Sequence, residues 1–87
     1  MKYTKLHWRH NSPDNPIVIF SELDEEFWEV RKVEFFREGP PRVASELTRP
    51  TFLSDQPFTS LEVSTPALTS VEITREEFET AWEAAHK

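Results

Sequence analysis

The segment from Glu22 to Gly39, ELDEEFWEVRKVEFFREG, most constrains the fold of this chain. It opens with four acidic residues, carries four of the eleven aromatic residues, and ends at the only glycine of the sequence. As a helix, it would gather its apolar residues on one face; as a strand, it would divide them between two faces. Its β-branched and aromatic residues, followed by a turn at Gly39, favour a strand that enters a hairpin.

The length of 87 residues predicts a single domain, residues 1–87, with a thin core. A chain of this size buries roughly 60–65% of the surface that it exposes when unfolded. Without cysteine, neither disulfides nor a thiolate zinc site can stabilise it. The longest apolar run, Ile17 to Phe20, is too short to span a membrane, and no signal peptide precedes it. We therefore expect a soluble cytoplasmic protein that does not associate with membranes.

The net charge of −6 is unevenly distributed along the chain. Residues 1–42 carry eight acids and seven bases, whereas residues 43–87 carry eight acids and three bases. Binding to nucleic-acid phosphates needs clustered lysine and arginine, which the sequence lacks, so we expect no direct nucleic-acid partner. An acidic surface suits a basic protein partner, although it also serves solubility alone.

The first half of the chain has the pattern of an antiparallel sheet. We predict strands at residues 3–9, 17–21, 28–37 and 42–45. The unbroken apolar run of the second predicts a central position, and the prolines before the fourth predict an edge. In the third strand, the apolar residues move from one face of the strand to the other near Arg31. This change indicates either a bulge or partial burial of both faces.

Residues 46–68 contain several prolines and many serine and threonine residues, which rules out a long element. A helical turn is a candidate at residues 58–63. The residues that we expect to anchor this segment over the core are Phe52, Leu53, Phe58 and Leu61.

The clearest element is a helix at Thr74–Ala85. Thr74 and Glu77 have the spacing of a capping box, and Ile73 and Phe78 have that of a hydrophobic staple. The predicted apolar stripe consists of Phe78, Ala81, Trp82 and Ala85, and the acidic face opposite it of Glu76, Glu79 and Glu83. The fold class that follows is α+β, an antiparallel sheet of about four strands in sequential order with a C-terminal α-helix packed on one face. If Trp82 is core, Trp82→Ala should cost about 3–5 kcal/mol.

No combination of residues predicts a metal site, a cofactor or catalysis. His7 and His10 are three apart, but on a strand they point to opposite faces. His10 and Asp14 are expected to fix a turn rather than to act as an acid–base pair. The acidic cluster lacks the ligand spacing of a calcium loop, and a chain with one glycine cannot form a phosphate-cradling loop.

Two further expectations concern the large and charged side chains. The tryptophans Trp8, Trp28 and Trp82 are predicted to be core, because a small domain needs large side chains to fill it. An exposed tryptophan would instead become a candidate binding hot spot. Arg31 and Lys32 lie among carboxylates, which favours cross-strand ion pairs.

Much of this pattern resembles a family of small bacterial single-domain proteins of unknown function. The resemblance rests on Trp8, His10, Pro13-Asp14, Pro16, Ser21–Asp24 and Trp28–Phe36, in the form W-x-H-x-x-P-D-x-P, S-E-L-D and W-E-V-R-K-V-E-x-F. It is specific between residues 8 and 39 and looser beyond. The family carries no activity to transfer. Its small, acidic members resemble immunity proteins, which bind and neutralise a toxin made by the same bacterium.

These observations predict a small acidic protein-binding module, an immunity-type protein whose partner is a toxin domain. The alternative is an acidic nucleic-acid mimic that inhibits a DNA- or RNA-binding protein complex. An enzyme ranks third, because no nucleophile–base pair or pair of catalytic carboxylates is recognisable. The predicted binding residues are Asp24, Glu25, Glu26, Trp28 and Glu29. Unlike the helix carboxylates, these residues adjoin aromatic side chains that can anchor a partner. The alternative is that Glu25 and Glu26 only solvate a turn and that Trp28 is buried.

Overall fold

The N-terminal alternation of side chains forms β1 (Lys2–Trp8), a strand in the interior of an antiparallel sheet. The computed structural model describes residues 1–48, 53–54 and 56–86. Over these residues the elements that follow are β2 (Val18–Leu23), β3 (Glu29–Phe35), β4 (Arg42–Ser45), β5 (Val63–Ser64), β6 (Leu68–Ile73) and α1 (Arg75–Ala85). The strand order is β4-β3-β2-β1-β6-β5, and all neighbouring strands are antiparallel. The α+β class is confirmed.

The sheet has six strands rather than about four. The predicted strands do lie in sequential order, with β2 between β1 and β3 and with β4 at an edge. The additional strands come from residues 63–73, and the helical turn predicted at residues 58–63 does not form. β1 has a second edge whose backbone groups need partners, and β6 supplies them, with Tyr3 opposite Ile73 and Trp8 opposite Leu68. No strand was predicted from the sequence between residues 46 and 73.

One face of the sheet packs against α1. The capping box of Thr74 and Glu77 is confirmed, and it starts the helix so that its apolar stripe meets the strands. Tyr3, Val33 and Phe78 are buried at the centre of this contact. Around them pack Phe20, Phe35, Val43, Ile73, Trp82 and Ala85. The predicted packing of the helix onto one face of the sheet is thereby confirmed.

The second face of the sheet is covered by residues of the segment between β4 and β5. The Ser54 amide donates to the Glu29 carboxylate at 2.8 Å, and the Ser70 hydroxyl donates to the carbonyl of Leu61 at 2.9 Å. Two features of β3 explain why its apolar residues move from one face of the strand to the other. Both faces are partly buried, and the register with β2 shifts where Leu23 pairs with Glu29. Of the predicted anchors, Phe52 lies outside the described residues.

The tryptophans do not form the core as predicted. Trp8 and Trp82 are half-buried, and Trp28 is 41% exposed. Among the aromatic residues that the structure describes, Phe78 is the one that is fully buried. In the part of the chain that the structure describes, no helix has the length and apolar character that crossing a membrane requires.

Phe78→Ala should lower the free energy of unfolding by about 3–5 kcal/mol, because it leaves a cavity beneath the helix. Trp82→Ala should cost less, since Trp82 is only half-buried. Urea unfolding followed by circular dichroism measures both changes, with Glu83→Ala on the exposed side of α1 as the matched control. Equal unfolding midpoints for Phe78→Ala and Glu83→Ala would contradict this packing.

Candidate functional site

The connection between β2 and β3, residues 24–28, is a tightly bonded turn that we call the acidic turn. One carboxylate oxygen of Asp24 accepts the backbone N–H groups of Glu26 at 2.9 Å and of Trp28 at 3.0 Å. The Asp24 amide donates to the carbonyl of Trp28, and the Phe27 amide donates to that of Asp24, both at 3.0 Å. An aspartate that bonds to the backbone two residues on is a strong turn former, and here it closes the whole connection.

Phe27 adopts a φ of +68°, a backbone conformation that bulky residues rarely take. Its carbonyl accepts the N–H of Phe58 at 2.8 Å, so the segment covering the second face of the sheet holds this residue in place. Strain of this kind costs of order 1–3 kcal/mol and persists only where the surroundings fix it, often at functional sites. The acidic turn is therefore a preorganised element.

The acidic turn displays three of the five predicted binding residues. Glu25 and Glu26 are exposed, and Trp28 lies at the surface beside them. Asp24 serves to position these residues, because its carboxylate is bonded to the turn. Glu29 lies apart from them, since it is only 6% exposed and faces the covered side of the sheet. Three side chains thus remain as one candidate contact surface.

Glu29 is held inside by polar partners. Its carboxylate accepts the Ser21 hydroxyl at 2.9 Å and lies 3.5 Å from the ammonium of Lys32. These groups line a cavity of about 210 Å³ beneath the covering segment. Ser21 is 2% exposed, so its hydroxyl and the Glu29 carboxylate form a buried hydrogen-bonded pair.

A groove of about 570 Å³ lies beside β3, and we call it the apolar groove and define it by Val30, Leu47 and Trp82. Leu47 is 96% exposed. Val30 follows Trp28 by two residues in the chain, but none of residues 24–28 lines the groove. The exposed carboxylate-bearing residue Glu46 also lines it. This groove was missed from the sequence, where Leu47 fell in a segment interpreted as a loop.

Behind the groove, Arg31 binds carboxylates from the sheet and from the helix. Its guanidinium donates to Glu22 at 2.6 and 3.0 Å and to Glu79 at 3.1 and 3.0 Å. Its Cζ also lies 4.8 Å from the ring centre of Phe78 and 4.9 Å from that of Trp82, within cation–π range. The predicted cross-strand pair of Arg31 is confirmed, since Glu22 is its partner across β2 and β3.

The charges of this cluster shift the pKa values of its members. Burial raises the pKa of Glu22, but hydrogen bonds from Arg31 and Tyr3 and the Arg31 charge outweigh it, leaving that pKa below its ordinary 4.5. The hydrogen bonds from Arg31 are the main cause of the lowered pKa of Glu79. In return, hydrogen bonds to Glu22 and Glu79 raise the pKa of Arg31, against burial. The cluster is therefore ionised at neutral pH.

The acidic face predicted on the helix is smaller than expected. Glu79 turns toward Arg31 and also lies 3.7 Å from the guanidinium of Arg75, so basic residues do neighbour these carboxylates. Glu76 and Glu83 are exposed. These two form a charged surface to compare with the acidic turn.

The histidines make structural contacts. His10 Nδ1 accepts the N–H of Ser12 at 3.0 Å, which leaves Nε2 to donate to the carbonyl of Pro16 at 2.8 Å. Both ring nitrogens bond to the turn backbone, so the expected pairing with Asp14 is replaced by backbone contacts. Among residues 1–48, 53–54 and 56–86, no group of three or more histidine, aspartate or glutamate side chains is placed to hold a metal ion.

Comparison with known proteins gives one match. The model of a family described as "Domain of unknown function (DUF6881)" matches residues 2–87. No curated protein and no solved structure matches the chain. The resemblance to a family of unknown function is thus confirmed over nearly the whole sequence.

Arg31→Met should destabilise the protein and change its response to acid. Folding lowers the pKa of Glu22, so the ion pair of Glu22 with Arg31 contributes its full stabilisation of the fold above the ordinary pKa of 4.5. This stabilisation is lost as the pH falls through the lower pKa of Glu22 in the folded protein. Breaking a buried pair costs about 3–5 kcal/mol, and less here because Arg31 is 21% exposed. In Arg31→Met the loss of stability below pH 4.5 should vanish or reverse, since burial alone raises the pKa of Glu22.

Urea unfolding across this pH range measures the effect. Lys2→Met is the matched control, because it breaks a surface pair with Glu72 whose side chains are 51% and 46% exposed. An unchanged acid response in Arg31→Met would show that Arg31 does not hold Glu22 ionised.

Asp24→Ala should open the acidic turn without removing its exposed side chains. Hydrogen–deuterium exchange should speed up at the amides of Glu26 and Trp28, which lose their acceptor. Asp24→Asn, which keeps an acceptor oxygen, is the control and should exchange more slowly than Asp24→Ala. Equal exchange in all three proteins would mean that the turn is held by other contacts.

Proposed function

The chain belongs to the family described as a domain of unknown function, DUF6881, and we propose that it acts as a small acidic protein-binding module. In its specific form, the proposal is an immunity-type protein that binds and neutralises a cognate bacterial toxin in the cytoplasm. The observation that carries it is Trp28, held 41% exposed beside Glu25 and Glu26 by a turn of rare backbone conformation.

The composition of this surface suits a protein partner. Interfaces combine aromatic anchors, which become desolvated on binding, with a charged rim that speeds encounter and selects partners. Trp28 supplies the anchor, and Glu25 and Glu26 supply the rim. The apolar groove at Leu47 and Val30 offers a second site for an aliphatic side chain of the partner. The complementary surface is therefore basic, with an exposed apolar residue.

The rigidity of the acidic turn also supports binding. Ordering a mobile loop on association costs free energy that must be subtracted from the affinity. The backbone and Asp24 bonds already fix residues 24–28, so a partner meets Trp28 in its final position. A turn that is already ordered therefore suits a binding surface.

The same charges give less support to a nucleic-acid mimic. Mimicry needs carboxylates that are free and spaced like phosphates. Glu22, Glu34 and Glu79 are each paired with an arginine, and Glu29 is buried beside Lys32. The remaining exposed carboxylates of the acidic turn are too few to follow a strand of phosphates.

Trp28→Ala and Glu25→Lys/Glu26→Lys should each weaken binding to the partner, whereas Glu76→Lys/Glu83→Lys should not. The second pair is the matched control, with the same charge change on the exposed side of α1. We expect Trp28→Ala to cost about 2 kcal/mol, a thirtyfold loss of affinity, as for an interface hot spot. The partner is captured from the native host, purified, and titrated against each variant by calorimetry.

Neutralisation is measured by expressing the partner alone and together with each variant and following growth. The proposal requires that the partner alone stops growth and that the wild-type chain restores it. A partner that is harmless alone would contradict the immunity role while leaving the binding module. Loss of binding only in Glu76→Lys/Glu83→Lys, with the fold intact, would place the interface on the helix instead.

A further inference from the structure

A second charged surface lies at the other end of β2 from the acidic turn. There the end of β1, the turn that follows it, and Arg37 beyond β3 surround an open cleft of about 460 Å³, which we call the basic cleft. The side chains that matter are those of His7, Trp8, Arg9, His10, Asn11 and Arg37. None of the described residues that line it is acidic, although the chain carries 16 acids and 10 bases.

The two arginines of the basic cleft bond only to neutral acceptors. Arg9 donates to the Thr69 hydroxyl at 2.6 Å and to the carbonyl of Pro66 at 3.5 Å, and Arg37 donates to the carbonyl of His10. The other arginines that the structure describes, Arg31, Arg42 and Arg75, each pair with a glutamate. Within the described ranges, Arg9 and Arg37 alone among arginines have no carboxylate partner.

This pairing pattern has an electrostatic consequence. A neutral acceptor orients a guanidinium but leaves its positive charge uncompensated. Both arginines are exposed and keep donors that their few bonds do not use. Two such groups at one cleft attract an anion locally, against the repulsion of the net charge of −6.

The wall of the basic cleft is rigid and partly aromatic. The Trp8 amide donates to the carbonyl of Ile17 at 2.9 Å, and the bonds of His10 to Ser12 and Pro16 fix its ring. The ring centres of Trp8 and His10 lie 4.4 Å apart. A planar group attached to the anion can therefore pack against Trp8.

We propose that the basic cleft binds the phosphate group of a small molecule, with Arg9 and Arg37 as its charged ligands and Trp8 beside the remainder. The planar fork of arginine matches the oxygens of phosphate. A cleft of this volume is in the range of small-molecule sites. Two arginines at one cleft do not form the row of cations that a polynucleotide needs, so a small molecule is the ligand. β2 separates this site from the acidic turn by roughly 17 Å, so it is independent of the proposed partner surface.

The test is a two-dimensional ¹H–¹⁵N NMR titration at constant ionic strength, with inorganic phosphate and adenosine monophosphate as probes and chloride as the control salt. Saturable shifts are expected at the Trp8 indole N–H and at the amides of Arg9, His10 and Asn11. The nucleotide should bind more tightly than phosphate, because its base adds the contact with Trp8.

Arg9→Gln/Arg37→Gln should weaken binding of both probes by about tenfold or more, the effect of losing hydrogen bonds to a charged group. Arg75→Gln, an exposed arginine outside the cleft, is the matched control and should leave the affinity unchanged. If circular dichroism shows that the double variant is unfolded, the chemical-shift changes of the wild-type chain alone decide whether the basic cleft binds the probes.

Three results would overturn the proposal. The first is a set of shifts that do not saturate and that spread to Lys2 and Arg75. The second is unchanged affinity in a folded double variant. The third is affinity for single-stranded RNA of roughly ten nucleotides that exceeds the mononucleotide affinity and grows with length, which would make the ligand a nucleic acid.

Discussion

The guanidinium of Arg31 is the contact on which the arrangement of helix and sheet depends. It projects from β3, bonds to Glu22 on β2 and Glu79 on α1, and lies against the rings of Phe78 and Trp82. A hydrophobic contact alone would tolerate some rotation of α1 over the strands. Directional bonds to two carboxylates, with two rings limiting the guanidinium, fix one orientation. Because ionic pairs of this kind add little net stability relative to apolar packing, we infer that Arg31 chiefly specifies geometry.

Internal pairing also decides which charges reach the surface. Glu22, Glu34 and Glu79 are matched by arginines, and Glu29 by Lys32. Exposed carboxylates remain on the acidic turn and on α1, and also at Asp14 and Glu38. The two described arginines without a carboxylate partner, Arg9 and Arg37, lie at the basic cleft, at the opposite end of β2 from the acidic turn. The acidic turn and the basic cleft therefore suit different classes of ligand.

The parts of this fold that the sequence predicts are those encoded by local signals. The order of the first four strands follows from alternation and turn residues, and the start of α1 follows from Thr74 and Glu77. The pairing of β6 with β1 was not predicted, because it joins residues far apart in the chain and no local signal shows which distant segment pairs with β1. The role of Arg31 depends on a helix carboxylate 48 residues away. Glu29 was placed with the acidic surface because the sequence indicated a bulge in this strand only as one of two alternatives and did not give the register with β2, which directs Glu29 inward.

The acidic turn and the start of β3 are hydrogen-bonded to the segment that covers the second face of the sheet. The Phe58 amide bonds to the carbonyl of Phe27, the residue of unusual φ, and the Ser54 amide bonds to Glu29 at the first position of β3. These two bonds add to the Asp24 and backbone bonds that hold Phe27 and Trp28 within the turn. The surroundings of the exposed tryptophan therefore include a segment that is distant in sequence and has no regular structure over residues 56–62. Substitutions in that segment can alter the binding surface without touching it, and an effect there is not evidence of direct contact with a partner.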